Sequence, residues 1–152
     1  MAESENNEPI FNSLYRFGVD EKRRIQVPSK WRPEPTATYT LIRWPNGWQQ
    51  DACLLVLPPK VTKALVDKLT AMPFGDPQAE ALRRFLGERS DTVTLDKAGR
   101  MCLPEAMAKA ASIEKEAVLN GMFDRFQIWN PERYESSRGA VDVLAADAFK
   151  LI

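Results

Sequence analysis

Two short stretches of this chain set a carboxylate and a guanidinium at the same spacing. Asp20 precedes Arg24 within Val19-Asp20-Glu21-Lys22-Arg23-Arg24-Ile25-Gln26-Val27-Pro28, and Asp96 precedes Arg100 within Leu95-Asp96-Lys97-Ala98-Gly99-Arg100-Met101-Cys102-Leu103-Pro104, 76 residues later. An Asp at the start of a turn accepts hydrogen bonds from backbone N–H groups further on, and the Arg across the turn is its natural ion-pair partner. For one copy, a structural turn would be the sufficient reading. Two copies, with Lys22 and Lys97 inside the turns, point instead to basic groups on projecting loops that face phosphate. The other chemistry open to these residues is a carboxylate pair, Asp20 with Asp96, sharing a proton. An Arg four residues after each favours ionised, salt-bridged acids over that arrangement.

Little else in the chain suits catalysis. There is no His, which removes the commonest general base and metal ligand. No paired Cys, Gly-rich phosphate loop or Gly-x-Ser-x-Gly elbow occurs. The expectation is therefore a protein that is not an enzyme, with no cofactor, no metal and no small-molecule substrate.

The elements that must position the two turns follow from the residues around them. Ile25 and Val27, like Met101 and Leu103, sit two apart and share one face of a strand, so Gln26 and Cys102 face the other way. Each copy reads as strand, tight turn, strand, then a Pro opening a helical turn. Gly99 supplies a residue free to take positive φ. A first strand is expected over 11–19, a single helical turn over 28–32 cut off by Pro33 and Pro35, and strands over 38–43 and 52–57 around a Pro45-Asn46-Gly47 turn. Val61, Leu65, Leu69 and Met72, with Val66 beside them, form an apolar helical stripe after Pro58-Pro59. Asp76 and Pro77 restart a helix as N-cap and first residue, Leu82, Phe85 and Leu86 give its buried face, and Gly87 its stop. In the second copy a helix follows Pro104, strands lie over 117–119 and 126–129 with a turn at Asn120-Gly121, and Asn130-Pro131 caps a last helix carrying Tyr134 before a loose Ala/Asp-rich tail. Phe126 and Ile128 match Leu54 and Val56 at a displacement of 72, which places four extra residues in the first hairpin, around 44–48. The organisation expected is a disordered acidic lead-in over 1–10, repeat 1 over 14–60, a helical linker over 61–89, repeat 2 over 90–133, and a C-terminal helix and tail over 134–152. Neither half has strands enough to close a core alone, so the two should pair by pseudo-two-fold symmetry into one closed β structure with both turns on the same side or edge.

Composition bounds the partners. The 152 residues suit one domain, or two small ones sharing a core. With 44% hydrophobic and 28% charged residues the chain is of ordinary globular type, and no apolar run approaches the roughly 20 residues of a membrane helix. Its acidic, polar first residues do not read as a signal peptide. Cys53 and Cys102 fit a reducing cytoplasm, with a disulfide between them left open. Net charge is zero, with 21 basic and 21 acidic residues, so the total argues nothing for nucleic acid. Residues 16–32, however, hold Arg16, Lys22, Arg23, Arg24, Lys30 and Arg32 against only Asp20 and Glu21.

The double Asp-x-x-x-Arg motif, the linking helices, the Phe11-x-Ser13-x-Tyr15 start and the Ile128-Trp129-Asn130-Pro131 ending resemble the MraZ family, tandem members of the SpoVT/AbrB superfamily, over residues 11–135. The resemblance implies an α+β, β-rich fold: two SpoVT/AbrB-like swapped-hairpin half-barrels forming one pseudo-two-fold β-barrel, with a linking α-helical hairpin and a C-terminal helix. It implies a bacterial, cytoplasmic and nucleoid-associated transcriptional regulator that binds double-stranded DNA at repeated promoter sites of the division and cell-wall gene cluster, as a ring-shaped homo-oligomer. Carried over by residue, it places Lys22 and Arg24 at the DNA from the first copy, and Lys97 and Arg100 in the same positions of the second. Asp20, Asp96 and Gly99 are then the structural turn residues. Arg23 stands where the family's usual Gly would be; in left-handed geometry it costs about 1–2 kcal/mol, and it could add a phosphate contact. The competing expectation is a module without DNA, either a protein-assembly ring or an antitoxin-like partner, which the apolar helices and acidic tail would serve.

Overall fold

The computed structural model describes residues 8–34, 36–46 and 49–152. Most of the expected lead-in over 1–10, Pro35, and Gly47 of the predicted turn lie outside the described residues. In chain order the elements are β1 (Leu14–Gly18), β2 (Arg24–Gln26), a 3-10 turn (Ser29–Trp31), β3 (Thr38–Asn46), β4 (Gln49–Leu57), α1 (Pro59–Thr70), α2 (Pro77–Glu88), β5 (Ser90–Thr94), β6 (Arg100–Cys102), α3 (Glu105–Ala110), β7 (Glu116–Gly121), β8 (Phe126–Trp129), α4 (Pro131–Ala148) and a closing 3-10 turn (Phe149–Leu151).

Six strands form one antiparallel sheet in the order β1-β7-β8-β4-β3-β5, and β2 pairs with β6 in a separate two-stranded ribbon. The order follows from a repeat that cannot close on itself. The first strand of each copy pairs with the other copy's sheet, β1 with β7 and β5 with β3. Two registers sit on the pseudo-dyad: Ile25 pairs with Met101, its own counterpart, and Leu55 pairs with Gln127. Between them the displacement changes twice. Gly18 pairs with Glu116 while its counterpart Thr94 pairs with Thr38, so the β3 and β7 counterparts are 78 apart. The second copy thus gains two residues where α3 replaces a 3-10 turn. The first hairpin exceeds the second by six residues, not the four expected.

The core lies between the ribbon and the large sheet. Ile25, Val27, Met101 and Leu103 from the ribbon side meet Trp31, Tyr39, Leu41, Leu54, Leu119 and Phe126, all of them essentially inaccessible to solvent. Phe11, Trp31 and Phe126 are in mutual ring contact, with centroids 4.8–5.7 Å apart. On the outer face, Ile42, Leu55 and Leu57 carry the helical hairpin through Val61, Leu65, Leu69 and Phe85. Val61, Leu65 and Leu69 pack as expected, but Met72 lies beyond the end of α1, and Val66 and Leu82 point largely to solvent. Trp129 and Tyr134 anchor the start of α4.

Several boundaries differ from expectation for local reasons. Helix α2 runs through Gly87 to Glu88, because Leu86 on its inner face holds the turn against the sheet, and the Asp76 side chain makes no capping bond. Asn120 and Gly121 continue β7 in the ladder; the reversal falls after them, with Phe123 at φ +72. Gly121 is required by close approach, since a Cβ there would strike the backbone of Phe11 and Asn12. Asn130 caps α4 as expected, its side chain accepting from the Arg133 N–H, but the tail beyond is helical to Ala148 rather than loose. Cys53 is buried, its thiol pushed up to about 12 by that burial, while Cys102 is exposed; both are free thiols.

Candidate nucleic-acid interface

Strand alternation decides what the ribbon presents. Ile25 and Met101 point inward with 1% and 0% exposure. Their neighbours Arg24, Gln26, Arg100 and Cys102 therefore share the outward face. Register sets them in a square, Arg24 opposite Cys102 and Gln26 opposite Arg100. Because the strands are antiparallel, the two Asp turns lie on the same side but at opposite ends of the ribbon, not along one edge.

The turns are built alike. Asp20 Oδ1 accepts from the backbone N–H groups of Lys22 (2.9 Å) and Arg24 (2.8 Å), and Oδ2 accepts from Arg24 Nε at 2.7 Å. Asp96 Oδ1 accepts from Ala98 and Arg100, both at 2.9 Å, and Oδ2 from Arg100 Nε at 2.9 Å. Each carboxyl is held below its ordinary value, first by the backbone N–H of its Arg, then by the remaining N–H donors and the Arg side chain. Two ionised acids at opposite ends of the ribbon, each saturated by its own turn, do not form a proton-sharing pair. They act as fasteners: an Arg tied through Nε is oriented, and its two Nη nitrogens form no hydrogen bond among the described residues.

The same bonds correct the alignment of the lysines. Lys22 and Ala98 donate equivalent bonds and are counterparts; Lys97 matches Glu21. Both lysines are exposed, but they sit one position apart in their turns. The third turn position is left-handed in both copies, φ +61 at Arg23 and +78 at Gly99, so Arg23 bears a strain of about 1–2 kcal/mol. Its side chain offsets part of that: Arg23 Nε donates to the Leu103 carbonyl at 3.0 Å. At Gly99 the missing side chain leaves room for another cation, and the Arg32 guanidinium lies where a Cβ would stand.

Cross-repeat contacts that the sequence reading missed hold the turns in place. Gln26 Nε2 donates to the carbonyls of Ala98 (3.1 Å) and Gly99 (3.3 Å), and Cys102 Sγ to that of Lys22 (3.3 Å). The available signal was that both residues face away from the core. Of the other cations in the basic stretch, Arg16 is neutralised by Glu116 at 3.0 Å and Lys30 bonds Ser13 Oγ. Lys30 keeps its charge, and the ribbon and its turns carry Lys22, Arg23, Arg24, Lys97 and Arg100, with Arg24 and Arg100 paired to Asp20 and Asp96.

Comparison with known proteins gives this arrangement a family. The chain is 33% identical to the transcriptional regulator MraZ of Clostridium tetani over 86% of this chain and 89% of that one. It belongs to the MraZ family. The MraZ transcriptional regulator of Clostridium acetobutylicum is 34% identical over 90% of this chain and 93% of its own. That of Desulfitobacterium hafniense is 33% identical over 94% and 97%. The MraZ family model, described as "MraZ protein, putative antitoxin-like", matches residues 87–138, which run from the end of α2 through the second turn into α4. These MraZ relatives are named as regulators rather than as enzymes. No helix among the described residues is long and apolar enough to cross a membrane.

Proposed function

We propose that this protein is a sequence-specific DNA-binding transcriptional regulator, acting as a repressor on the bacterial division and cell-wall gene cluster. The observation that carries the reading is the outward ribbon face, where Arg24 and Arg100 are each fixed through Nε with both Nη nitrogens uncommitted. A bidentate Arg–guanine pair is the commonest specific contact in the major groove, which admits a two-stranded β-ribbon. Lys22, Arg23 and Lys97 take phosphates at the two ends and set register without reading sequence. The strand exchange between copies supports reading the fold as a swapped-hairpin barrel of two half-repeats, 14–60 and 90–133, with both halves needed to make one reader.

A subunit of zero net charge binds DNA weakly on its own. We take it to work as a ring-shaped homo-oligomer at the nucleoid, presenting several ribbons to repeated promoter sites; matched spacing raises avidity by roughly 10²–10⁴. Occlusion of polymerase follows. A second reading, an antitoxin-like module for a protein partner, is favoured by an apolar groove of about 630 Å³ walled by Ile10, Phe11, Pro33, Pro58, Val61 and Phe123. Fluorescence anisotropy of a labelled fragment from upstream of the protein's own gene, against an unrelated duplex at several salt concentrations, separates the two. Promoter-preferring binding with a steep negative salt slope, lost in Arg24→Ala/Arg100→Ala, supports the regulator. Equal weak binding to both duplexes, unchanged by those substitutions, sinks it.

A further inference from the structure

The cationic side chains of the proposed DNA face, Lys22, Arg23, Arg24, Lys97 and Arg100, are hydrogen-bond donors only, with N–H groups and no acceptor. Gln26 also carries an acceptor, and its amide is not free to choose its orientation. Nε2 is surrounded by three carbonyls, those of Ala98 (3.1 Å), Gly99 (3.3 Å) and Val27 (3.4 Å). Reversing the amide would set Oε1 against three oxygens, so the nitrogen is held on the protein side. Oε1, on the opposite arm of the planar amide, forms no hydrogen bond among the described residues. It belongs to a side chain on the outward face, directly opposite Arg100 and two residues from Arg24. At the equivalent place in the other repeat stands Cys102, whose thiol is spent on the Lys22 carbonyl.

We propose that Gln26 is a base-selecting residue: its Oε1 is a preset acceptor for the exocyclic amino group of one adenine or cytosine, next to the guanines taken by the arginines. With both amide protons turned to the protein, the usual bidentate Gln–adenine pair is closed to it, and a single amino donor is what remains. The second repeat offers no matching acceptor, so this selection acts at one base pair per subunit and not at its pseudo-symmetric mate. The inference rests on the DNA-reading proposal above.

The test is a set of promoter duplexes, each with one base pair changed, titrated by anisotropy against the full chain, Gln26→Met and Gln26→Glu. Wild type should show one position where loss of the amino base costs about tenfold, and substituting an analogue without the exocyclic amine there should cost the same. Gln26→Met should lower affinity for every duplex through the lost brace on Ala98 and Gly99, but erase the extra penalty at that position while the penalties at the other positions, each taken relative to the unchanged promoter, stay within twofold of wild type. Gln26→Glu, which sets a carboxylate oxygen against the same three carbonyls and a negative charge on the face, should weaken every duplex and lose the selection as well. If in Gln26→Met the penalty at that position stays as in wild type, whether or not all duplexes weaken together, Gln26 only braces the second turn and the inference falls while the regulator reading stands. If wild type does not distinguish the promoter from an unrelated duplex, both fall.

Discussion

The two turns are one device executed twice with different materials. Both fasten an Arg to an Asp, and both need a left-handed residue at the third position. The second turn meets that need with Gly99, at no steric cost, and lets Arg32 from the other repeat fill the space above it. The first places Arg23 there and ties it to the Leu103 carbonyl. The first turn is therefore strained and braced by Leu103 and Cys102 from across the dyad, the second relaxed and braced by Gln26. A pseudo-symmetric fold has in this way acquired two unequal ends.

Removing the element the turns share should have the largest effect. Arg24→Ala/Arg100→Ala should lower promoter affinity by more than a hundredfold, since each bidentate contact is worth about 1–3 kcal/mol, with the thermal midpoint little moved. Removing the fastener comes next. Asp20→Ala and Asp96→Ala should each cost about tenfold in promoter binding, with Asp20→Ala the more damaging, because its carboxylate helps hold a residue that is not glycine in the left-handed region. Amide exchange at Lys22 and Arg24, compared with Ala98 and Arg100, would show which turn opens. Equal opening in both variants would mean that strain at Arg23 is irrelevant.

Exchanging the third residue sharpens the comparison further. Gly99→Ala should destabilise by roughly 1–2 kcal/mol and displace Arg32, whereas Arg23→Gly should cost less than about 1 kcal/mol, relief of strain opposing the lost bond to Leu103. Urea midpoints would read both. The smallest effect is that of pH. Both Asp carboxyls are lowered on folding, so their contribution is present above the unfolded value of 3.8 and is lost as pH falls through the lower folded value. Protection of the four turn amides should stay flat from neutrality to about pH 4 and fall below it, in both turns together. Loss beginning near pH 6 would point to a different titrating group.

Much of this was legible in the residues. The Asp–Arg turns, the left-handed third position, the Val61, Leu65 and Leu69 stripe of α1 and the Asn130 cap are local patterns, each written within a few residues and each found where expected. What was not legible depended on pairing. The displacement between copies looked like one step until the register showed two. Gly87 looked like a stop, but the neighbouring Leu86 is held by the sheet, and tertiary contact overrides a single weak breaker.

The sequence by itself determined the vocabulary of this protein: two turns of defined hydrogen bonding, and strands whose alternation puts Ile25 and Met101 in and Arg24 and Arg100 out. Those are decided by geometry within ten residues. Only the tertiary structure decided that β2 and β6 lie antiparallel across the dyad, putting the turns at opposite ends of one face and bringing Gln26 under the carbonyls of Ala98 and Gly99. That contact joins residues more than 70 positions apart, and no local pattern encodes it. It exists because neither repeat can bury its apolar face without the other.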